Sequence, residues 1–207
     1  VAPDQAQPPV TFGAEKNVLW KVRVPEGSSS PVIWGDHLYL TAFEDGRLKT
    51  LCYHCEDGRK LWESAVPEVR IQSYFEKSGS PAASSVATDG ERVVAYFGSY
   101  GALCYDHEGR ELWTRRLDVP EDPFKFGTGT SPILIDGLVI VQGDYQVTQS
   151  HLLALDAMRG DTKWQTARAG YPTSYGTPMV WEHDGKKELI VTGSLRVCSY
   201  DLEQGRE

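Results

Sequence analysis

Short apolar runs bounded by tight turns recur along the whole chain. In one copy the run 132–135 is separated from the run 138–141 by Asp136-Gly137. Pairs of Gly and Asp supply the positive φ that tight hairpin turns require, and the β-branched residues on either side favour strands. The equivalent turn pairs are Gly35-Asp36, Asp89-Gly90 and Asp184-Gly185. No window of ten or more residues has the 3.6-residue period of an amphipathic helix, so the chain is predicted to be all-β.

Two sequence markers recur about every 50 residues, a period typical of a propeller blade. One is a tryptophan and the other is a Ser/Thr-Pro pair. The tryptophans are Trp20, Trp62, Trp113 and Trp164, and the prolines are Pro31, Pro81, Pro132 and Pro178. Three strand-like runs follow each proline and the next tryptophan opens a fourth, which predicts four-stranded antiparallel blades. Each indole is expected to pack against the next blade, because it buries a large apolar area there.

The repeat predicts a single β-propeller domain or propeller fragment over residues 1–207, with about four blades. The repeats cover about 29–67, 79–118, 130–168 and 176–207, and an outer strand is predicted over 15–25. The last repeat stops before its tryptophan, and an unpaired strand edge exposes a row of N–H and C=O groups. The outer strand at the N-terminal end is therefore expected to complete a last blade. The ring would be closed by four blades alone, by two chains forming eight blades, or by the rest of a longer protein.

The pattern Leu-x-Ala-Leu-Asp-x-x-x-Gly, followed by a basic residue, two residues and Trp, is nearly complete at 152–164. It resembles the tryptophan-docking motif of the pyrroloquinoline-quinone (PQQ)-like propellers, and the likeness covers essentially the whole chain. That family includes quinoprotein alcohol dehydrogenases, a lipoprotein of the outer-membrane β-barrel assembly machinery, sensor domains of bacterial serine/threonine kinases and many exported proteins. Its members usually carry seven or eight blades, which implies that this chain is half of such a ring or forms a homodimer that completes one.

The opening from Asn17 to Pro31 resembles the mature N-terminus of the exported members, which implies a periplasmic or extracellular protein. The sequence as given has no signal-peptide pattern and no run near the roughly 18 apolar residues of a membrane span. The chain contains 21 Lys and Arg residues and 29 Asp and Glu residues, which gives a formal net charge of −8. No basic stretch could neutralise a phosphate backbone, so nucleic acid is not an expected partner.

The four cysteines do not form the pattern of a metal or quinone site. Cys52 and Cys55 make a C-x-x-C, but a structural zinc site needs a second pair at similar spacing. In the quinoprotein dehydrogenases, PQQ lies against a disulfide between adjacent cysteines with a calcium ion nearby, and no two cysteines are adjacent here. Cys52 and Cys104 hold equivalent strand positions and are expected to be small core residues. No metal or cofactor is predicted, and PQQ and calcium belong only to the dehydrogenase alternative.

The loops that follow the outer strands are the predicted binding site, because propeller strands are committed to packing and recognition is left to the loops. The repeat places the loops 72–79, 122–129 and 171–176 on one face. Their aromatic, glycine, hydroxyl and lysine residues suit a flat partner, a sugar or a peptide strand, although the aromatics could instead only plug the channel. The longer loop 143–150 is a second candidate. The candidate ligand-binding residues are Tyr74, Phe75, Lys77, Phe124, Lys125, Phe126, Tyr171 and Tyr175.

No catalytic residue is predicted, since the five histidines are scattered over turns and strand starts without a nucleophile–base set. No phosphate-binding loop or hydrolase elbow is present. The first hypothesis is a non-enzymatic, exported propeller that binds a protein or small ligand through its loop face. The alternatives are a fragment of a PQQ-dependent quinoprotein dehydrogenase and the extracellular sensor domain of a bacterial serine/threonine kinase.

Overall fold

Fifteen strands form four antiparallel sheets in a computed structural model, which describes residues 7, 9–77, 79–119, 124–146 and 148–207. Three sheets have four strands and the last has three, and in every sheet the strands follow chain order. The described residues contain no helix, and therefore none long and apolar enough to cross a membrane. The prediction of an all-β propeller with about four antiparallel blades is confirmed.

Each sheet is one blade, with its strands numbered along the chain from the inner to the outer edge. Blade 1 contains β1 (Val32–Trp34), β2 (His37–Glu44), β3 (Arg47–His54) and β4 (Lys60–Ala65). Blade 2 contains β5 (Ala87–Thr88), β6 (Val93–Phe97), β7 (Gly101–Tyr105) and β8 (Glu111–Arg116). Blade 3 contains β9 (Ile133–Ile135), β10 (Leu138–Gly143), β11 (His151–Asp156) and β12 (Thr162–Ala167). Blade 4 contains β13 (Met179–His183), β14 (Lys186–Thr192) and β15 (Val197–Asp201).

The hairpin turns have the conformation that their Asp-Gly pairs predict. Between β9 and β10, Asp136 and Gly137 have φ values of 48° and 76°, and Ile135 pairs with Leu138 across the turn. Two consecutive positive φ values match the right-handed twist of the flanking strands. The turn therefore sets the register, and it directs alternate strand residues to opposite faces of the blade.

The hydrophobic core consists of layers between neighbouring blades. Between blades 1 and 2, the buried side chains of Tyr39 and Cys52 belong to one cluster with Val93, Phe97 and Tyr105. Equivalent clusters join blade 2 to blade 3 and blade 3 to blade 4. Because each blade uses one face toward the preceding blade and the other toward the next, strand residues on both faces are apolar. The loops at the blade ends lie outside these layers.

Tryptophans on the outer strands of blades 1, 2 and 3 join each blade to the next, and Trp20 of the N-terminal segment makes the same contact with blade 1. The indole Nε1–H of Trp113 donates a hydrogen bond of 2.9 Å to the carbonyl of Ala157 in the turn between β11 and β12. The same bond recurs from Trp62 to His107 at 2.7 Å, from Trp164 to Leu202 at 2.9 Å and from Trp20 to Cys55 at 2.6 Å. The predicted packing of each indole against the following blade is confirmed.

A glycine in each receiving turn makes room for the indole. Gly160 has a φ of 73°, and a Cβ added to it would lie 2.6 Å from Cε3 of Trp113. Both the left-handed conformation and the close approach of the ring require glycine here. Gly58, Gly109 and Gly205 serve the other three tryptophans in the same way.

The N-terminal segment has the position of an outer strand without the conformation of one. The structure assigns no strand to residues 15–25, where an outer strand is predicted, and Lys16 makes only an isolated bridge to Gly13. A strand is defined by ladder bonds to a neighbour, and none of the described strands lies beside this segment to provide them. Trp20 nevertheless docks on blade 1 as the other three tryptophans dock on theirs.

Two of the four free thiols are expected to resist alkylation in the folded protein. Cys52 and Cys104 are completely buried, and burial raises the pKa of each thiol to about 12. Because the thiolate is the nucleophile, both should react with iodoacetamide at least about 100-fold more slowly than the part-exposed Cys198. Peptide mapping by mass spectrometry would measure the rates, and equal rates at Cys52 and Cys198 would contradict the packing described here.

Candidate ligand-binding face

Three exposed aromatic rings from three different loops lie in contact on one face of the propeller. The ring centroids of Phe75 and Phe126 are 6.4 Å apart, and those of Phe126 and Tyr175 are 6.1 Å apart. Both pairs meet edge to face, the arrangement that aromatic quadrupoles favour. We call Phe75, Phe126 and Tyr175 the aromatic row. Their exposed fractions are 51%, 54% and 40%, so the row is a ridge open to solvent.

Buried polar contacts beneath the row hold its loops in place. Thr128, two residues after Phe126, donates its hydroxyl to Oε1 of Gln72 at 3.1 Å. The backbone N–H of Gln72 in turn donates to the hydroxyl of Ser99 at 3.0 Å. A further backbone bond of 2.7 Å closes a turn from Gly79 to the carbonyl of Phe75. These contacts join two aromatic loops to the β6–β7 turn, so the rings have a fixed support.

The backbone around Phe126 is shaped by two left-handed residues. Lys125 has a φ of 59° and Gly127 a φ of 79°. A non-glycine residue in this region is uncommon and carries a conformational cost. The turn that results presents Phe126 between Phe75 and Tyr175 instead of burying it.

The remaining predicted residues fall into an exposed and a buried group. Phe124 is 62% exposed, and Lys77 and Lys125 are also exposed. Tyr74 is half-buried and packs edge to face on Phe43, with the ring centroids 6.5 Å apart. Tyr171 is only 5% exposed, so the structure does not place it among the exposed rings.

Tyr171 is buried because its ring covers a cation. The guanidinium carbon of Arg168 lies 4.0 Å from the Tyr171 ring centroid, a distance typical of a cation–π contact. Tyr171 therefore lies below the exposed rings and not among them. Its hydroxyl lies 2.7 Å from Sγ of Cys198, which ties the third aromatic loop to blade 4.

A buried ion pair that the sequence analysis does not predict supports the third aromatic loop. Arg168 and Asp144 have fully buried side chains, with Nε and Oδ1 2.8 Å apart and Nη2 and Oδ2 3.0 Å apart. Burial lowers the pKa of Arg168, but the hydrogen bond and the charge of Asp144 more than offset this and leave the pKa raised. Arg168 also donates to the Tyr200 hydroxyl at 2.5 Å. The only sequence signal is a lone arginine after β12.

Asp144 and Tyr145 of the longer loop 143–150, in which residue 147 lies outside the described residues, lie beneath the neighbouring loop. The carbonyl of Asp144 accepts the backbone N–H of Ser174 at 3.0 Å, and the carbonyl of Tyr145 accepts the Thr173 hydroxyl. Tyr145 is 7% exposed, and its hydroxyl lies 2.6 Å from that of Tyr96. Among the residues described here, this loop positions the segment that carries Tyr175.

A polar groove adjoins the end of the row nearest blade 1. It has a volume of about 510 Å³ and carries charges of both signs, from Glu26, Glu76 and Lys77. Tyr74 and Phe43 supply its apolar wall. The groove and the row together give a polar edge beside an apolar ridge, the distribution typical of a protein-binding surface.

The histidines take part in contacts between and within blades. Nδ1 of His107 in blade 2 lies 2.9 Å from the Tyr39 hydroxyl in blade 1, and Nε2 contacts the carbonyl of Gly90. His54 lies 3.2 Å from a carboxylate oxygen of Asp57 in its own turn. Within the described ranges, no group of three or more His, Cys, Asp or Glu side chains is placed to hold a metal ion.

Repeated four-stranded blades locked by docked tryptophans define the class of this protein, a PQQ-like β-propeller. A model of the family described as "Outer membrane protein assembly factor BamB" matches residues 11–118 and 51–207. The chain therefore belongs to this family. No curated protein sequence matches the chain.

Solved structures similar to this chain include natural proteins and a computationally designed one. BamB from Moraxella catarrhalis superposes with a TM-score of 0.59 at 19% identity, covering 91% of this chain and 50% of that one. The computationally designed Ika4 protein gives a TM-score of 0.53 at 11% identity, covering 86% of this chain and 95% of that one. Quinohemoprotein alcohol dehydrogenase ADHIIG from Pseudomonas putida HK5 gives a TM-score of 0.49 at 19% identity, covering 68% of this chain and 20% of that one. The chain thus spans about half of the BamB structure and about a fifth of the dehydrogenase.

Proposed function

We propose that this protein is a non-enzymatic, exported propeller scaffold that binds a protein partner through its loop face. The observation that carries the proposal is the aromatic row, in which three rings from three loops stay exposed while touching one another. Apolar side chains scattered singly over a surface need no explanation, whereas a contiguous patch marks a site of interaction. Aromatic residues also supply most hot spots in protein interfaces.

The shape of the face favours a protein over a small ligand. Small-molecule sites are concave and enclose most of the ligand surface, but the row is a ridge whose rings are each at least 40% exposed. A ridge can insert into a groove of a partner or support an extended segment. The family description refers to assembly of outer-membrane proteins, an activity directed at polypeptides, and it supports the same choice for this chain.

Export and independence from a cofactor are part of the proposal. The likeness of residues 17–31 to exported relatives supports a periplasmic or extracellular location. The row needs neither PQQ nor calcium to recognise a polypeptide. Titration with PQQ and Ca²⁺, followed by tryptophan fluorescence, separates this function from that of a dehydrogenase fragment, because sub-millimolar binding of PQQ would favour the latter.

Replacing Phe126 by alanine is expected to weaken peptide binding at the loop face at least tenfold. The ring lies between its two neighbours, so its loss removes one contact and breaks the continuity of the row. Truncating a central aromatic residue of an interface typically costs about 2 kcal/mol or more. Random 12-residue peptides displayed on phage would be selected on the unmodified chain, and the Kd of synthetic copies would be measured by fluorescence anisotropy.

The control is Leu112→Ala on the outer strand of blade 2, where the side chain is 50% exposed but lies away from the loops. Peptides that bind the row should bind this variant as they bind the unmodified chain. Equal affinity for the unmodified chain and for a variant carrying serine at all three row positions would refute the proposed site.

A further inference from the structure

The polar groove beside the aromatic row carries more negative than positive charge. Glu26 and Glu76 line it together with one cation, Lys77. All three residues are exposed, and none of them forms an ion pair within the part of the chain that the structure describes. Two carboxylates and one ammonium group give the groove a surplus of one negative charge.

Two aromatic rings form the apolar wall of the polar groove and are fixed by their neighbours. Tyr74 and Phe43 meet edge to face, with their ring centroids 6.5 Å apart. Tyr74 packs so closely on Gly127 that a Cβ added to the glycine would lie 3.3 Å from Cβ of the tyrosine. The backbone N–H of Phe43 donates to the carbonyl of Glu26 at 2.6 Å. The aromatic wall and one of the carboxylate-bearing residues are thus held side by side.

The chain already contains this combination of groups at a buried site, where it holds an arginine. The guanidinium of Arg168 contacts the carboxylate of Asp144 at 2.8 Å and lies 4.0 Å from the ring centroid of Tyr171. The guanidinium of Arg116 lies at the same distance from the ring of Tyr100. A planar guanidinium can stack on an aromatic ring and bind carboxylate oxygens at the same time, whereas an ammonium group acts as a point charge. The described residues that line the polar groove include one lysine and no arginine.

The polar groove directly adjoins the aromatic row along the chain. Tyr74 lies in the wall of the groove, Phe75 belongs to the row, and Glu76 and Lys77 follow without a gap. The backbone N–H of Gly79 donates to the carbonyl of Phe75 at 2.7 Å and closes this segment into a turn. An extended polypeptide advances about 3.3 Å per residue. A polypeptide that covers Phe75 therefore brings one of its next few side chains over the groove.

We propose that the polar groove binds an arginine side chain of the polypeptide that the aromatic row recognises. This inference rests on the proposed function, because the row supplies the apolar contacts and the groove adds a charged one. The guanidinium stacks on the ring of Tyr74 and donates hydrogen bonds to the carboxylates of Glu26 and Glu76. The aliphatic part of the arginine packs on Phe43. The partner is thus an extended segment in which an arginine lies a few residues from apolar side chains.

Selection of random 12-residue peptides on phage tests this choice of partner by sequence. Peptides retained by the unmodified chain should contain arginine near their apolar residues at least about fivefold more often than the starting library does, in line with the gain in affinity. The double variant Glu26→Gln, Glu76→Gln should retain peptides with the same apolar residues and without the arginine. Both substitutions keep the size of an exposed side chain, and circular dichroism would verify the fold.

A change in the peptide alone gives a second measurement that needs no variant protein. Citrulline has the shape of arginine without its charge, so replacing the arginine of a selected peptide by citrulline should raise the Kd at least about fivefold. On the Glu26→Gln, Glu76→Gln variant, the same replacement should change the Kd by less than about twofold, because both changes remove one contact. Lys77→Gln should lower the Kd of the arginine peptide, since it removes a competing cation. Fluorescence anisotropy would measure each Kd.

The matched control makes the same change in net charge at the other end of the blades. Glu56→Gln with Glu203→Gln removes two exposed carboxylates from the turns after β3 and β15, and it should keep the preference for arginine over citrulline. Loss of that preference in the control would mean that the net charge of −8 attracts the peptide, and it would exclude the groove.

The remaining outcomes separate this site from the aromatic row. Peptides that bind the row without arginine, or with an acidic residue in its place, would overturn the arginine site and leave the proposed function intact. An equal effect of citrulline on the unmodified chain and on the Glu26→Gln, Glu76→Gln variant would also overturn it. Failure of the unmodified chain to retain any peptide would refute both the row and the groove as binding sites.

Discussion

Replacing Trp113 by alanine is expected to lower the free energy of unfolding by about 3–5 kcal/mol, the usual loss for a buried tryptophan. The indole is 8% exposed and belongs to the core layer between blades 2 and 3. Its removal also leaves the carbonyl of Ala157 without the hydrogen bond that it accepts from Nε1. Since small domains have only about 5–15 kcal/mol of stability in total, this single change should shift the urea midpoint strongly.

The matched control is the neighbouring residue on the same strand. Leu112→Ala removes an apolar side chain of which half is already exposed, so its effect should stay below about 1 kcal/mol. Both variants would be measured by urea unfolding followed with circular dichroism. A loss at Trp113 no larger than the loss at Leu112 would show that docked indoles are not what joins the blades.

The strands and the blade interfaces are predictable because the same sequence pattern recurs in four repeats. Two markers with one period give the number of blades, and Asp-Gly turns such as Asp136-Gly137 give the hairpins. The role of each tryptophan follows as well, since a large apolar ring at a fixed position in every repeat needs an equivalent receiving surface. At each of these positions the local residue preferences and the repeat predict the same structure, and a fold can be predicted from sequence where such signals agree.

The loops are only partly predictable, because their residues do not repeat in register. Composition indicates that aromatic loops share a face, and the row of Phe75, Phe126 and Tyr175 confirms that they meet. The composition of the loops does not distinguish Tyr175 from Tyr171, which lie four residues apart in one loop. Only the three-dimensional position of Arg168 buries one ring and leaves the other at the surface.

The outer strand predicted over 15–25 is a case in which the docking residue is predicted correctly but the secondary structure is not. Its tryptophan is correctly interpreted as a docking residue, but a strand requires a hydrogen-bonded neighbour, and no described strand pairs with this segment. The position of Trp20 on blade 1 is therefore encoded in the sequence around it. The tryptophan pattern alone therefore does not determine whether the segment forms a strand.

Asp144→Asn is expected to destabilise the protein by about 3–5 kcal/mol, because it leaves the Arg168 cation buried without a counter-charge. The substitution keeps the size and shape of the side chain, so loss of charge is the main change. Both side chains of this pair are fully buried, whereas the Lys187–Asp136 pair, at 2.7 Å, is 35% and 52% exposed. Asp136→Asn is thus the matched control, with an expected loss of at most about 1 kcal/mol.

The Asp144→Asn variant should also weaken peptide binding at the aromatic row, although Asp144 lies beneath it. The backbone carbonyl of Asp144 accepts the N–H of Ser174, next to Tyr175, and Arg168 contacts the Tyr171 ring in the same loop. The guanidinium left without its counter-charge is expected to move toward water, and the loop that carries Tyr175 is expected to move with it. Urea unfolding and peptide Kd would be measured on the same samples, and Arg168→Met combined with Asp144→Leu should recover much of the stability. Unchanged stability in Asp144→Asn would show that the buried pair does not support the loop.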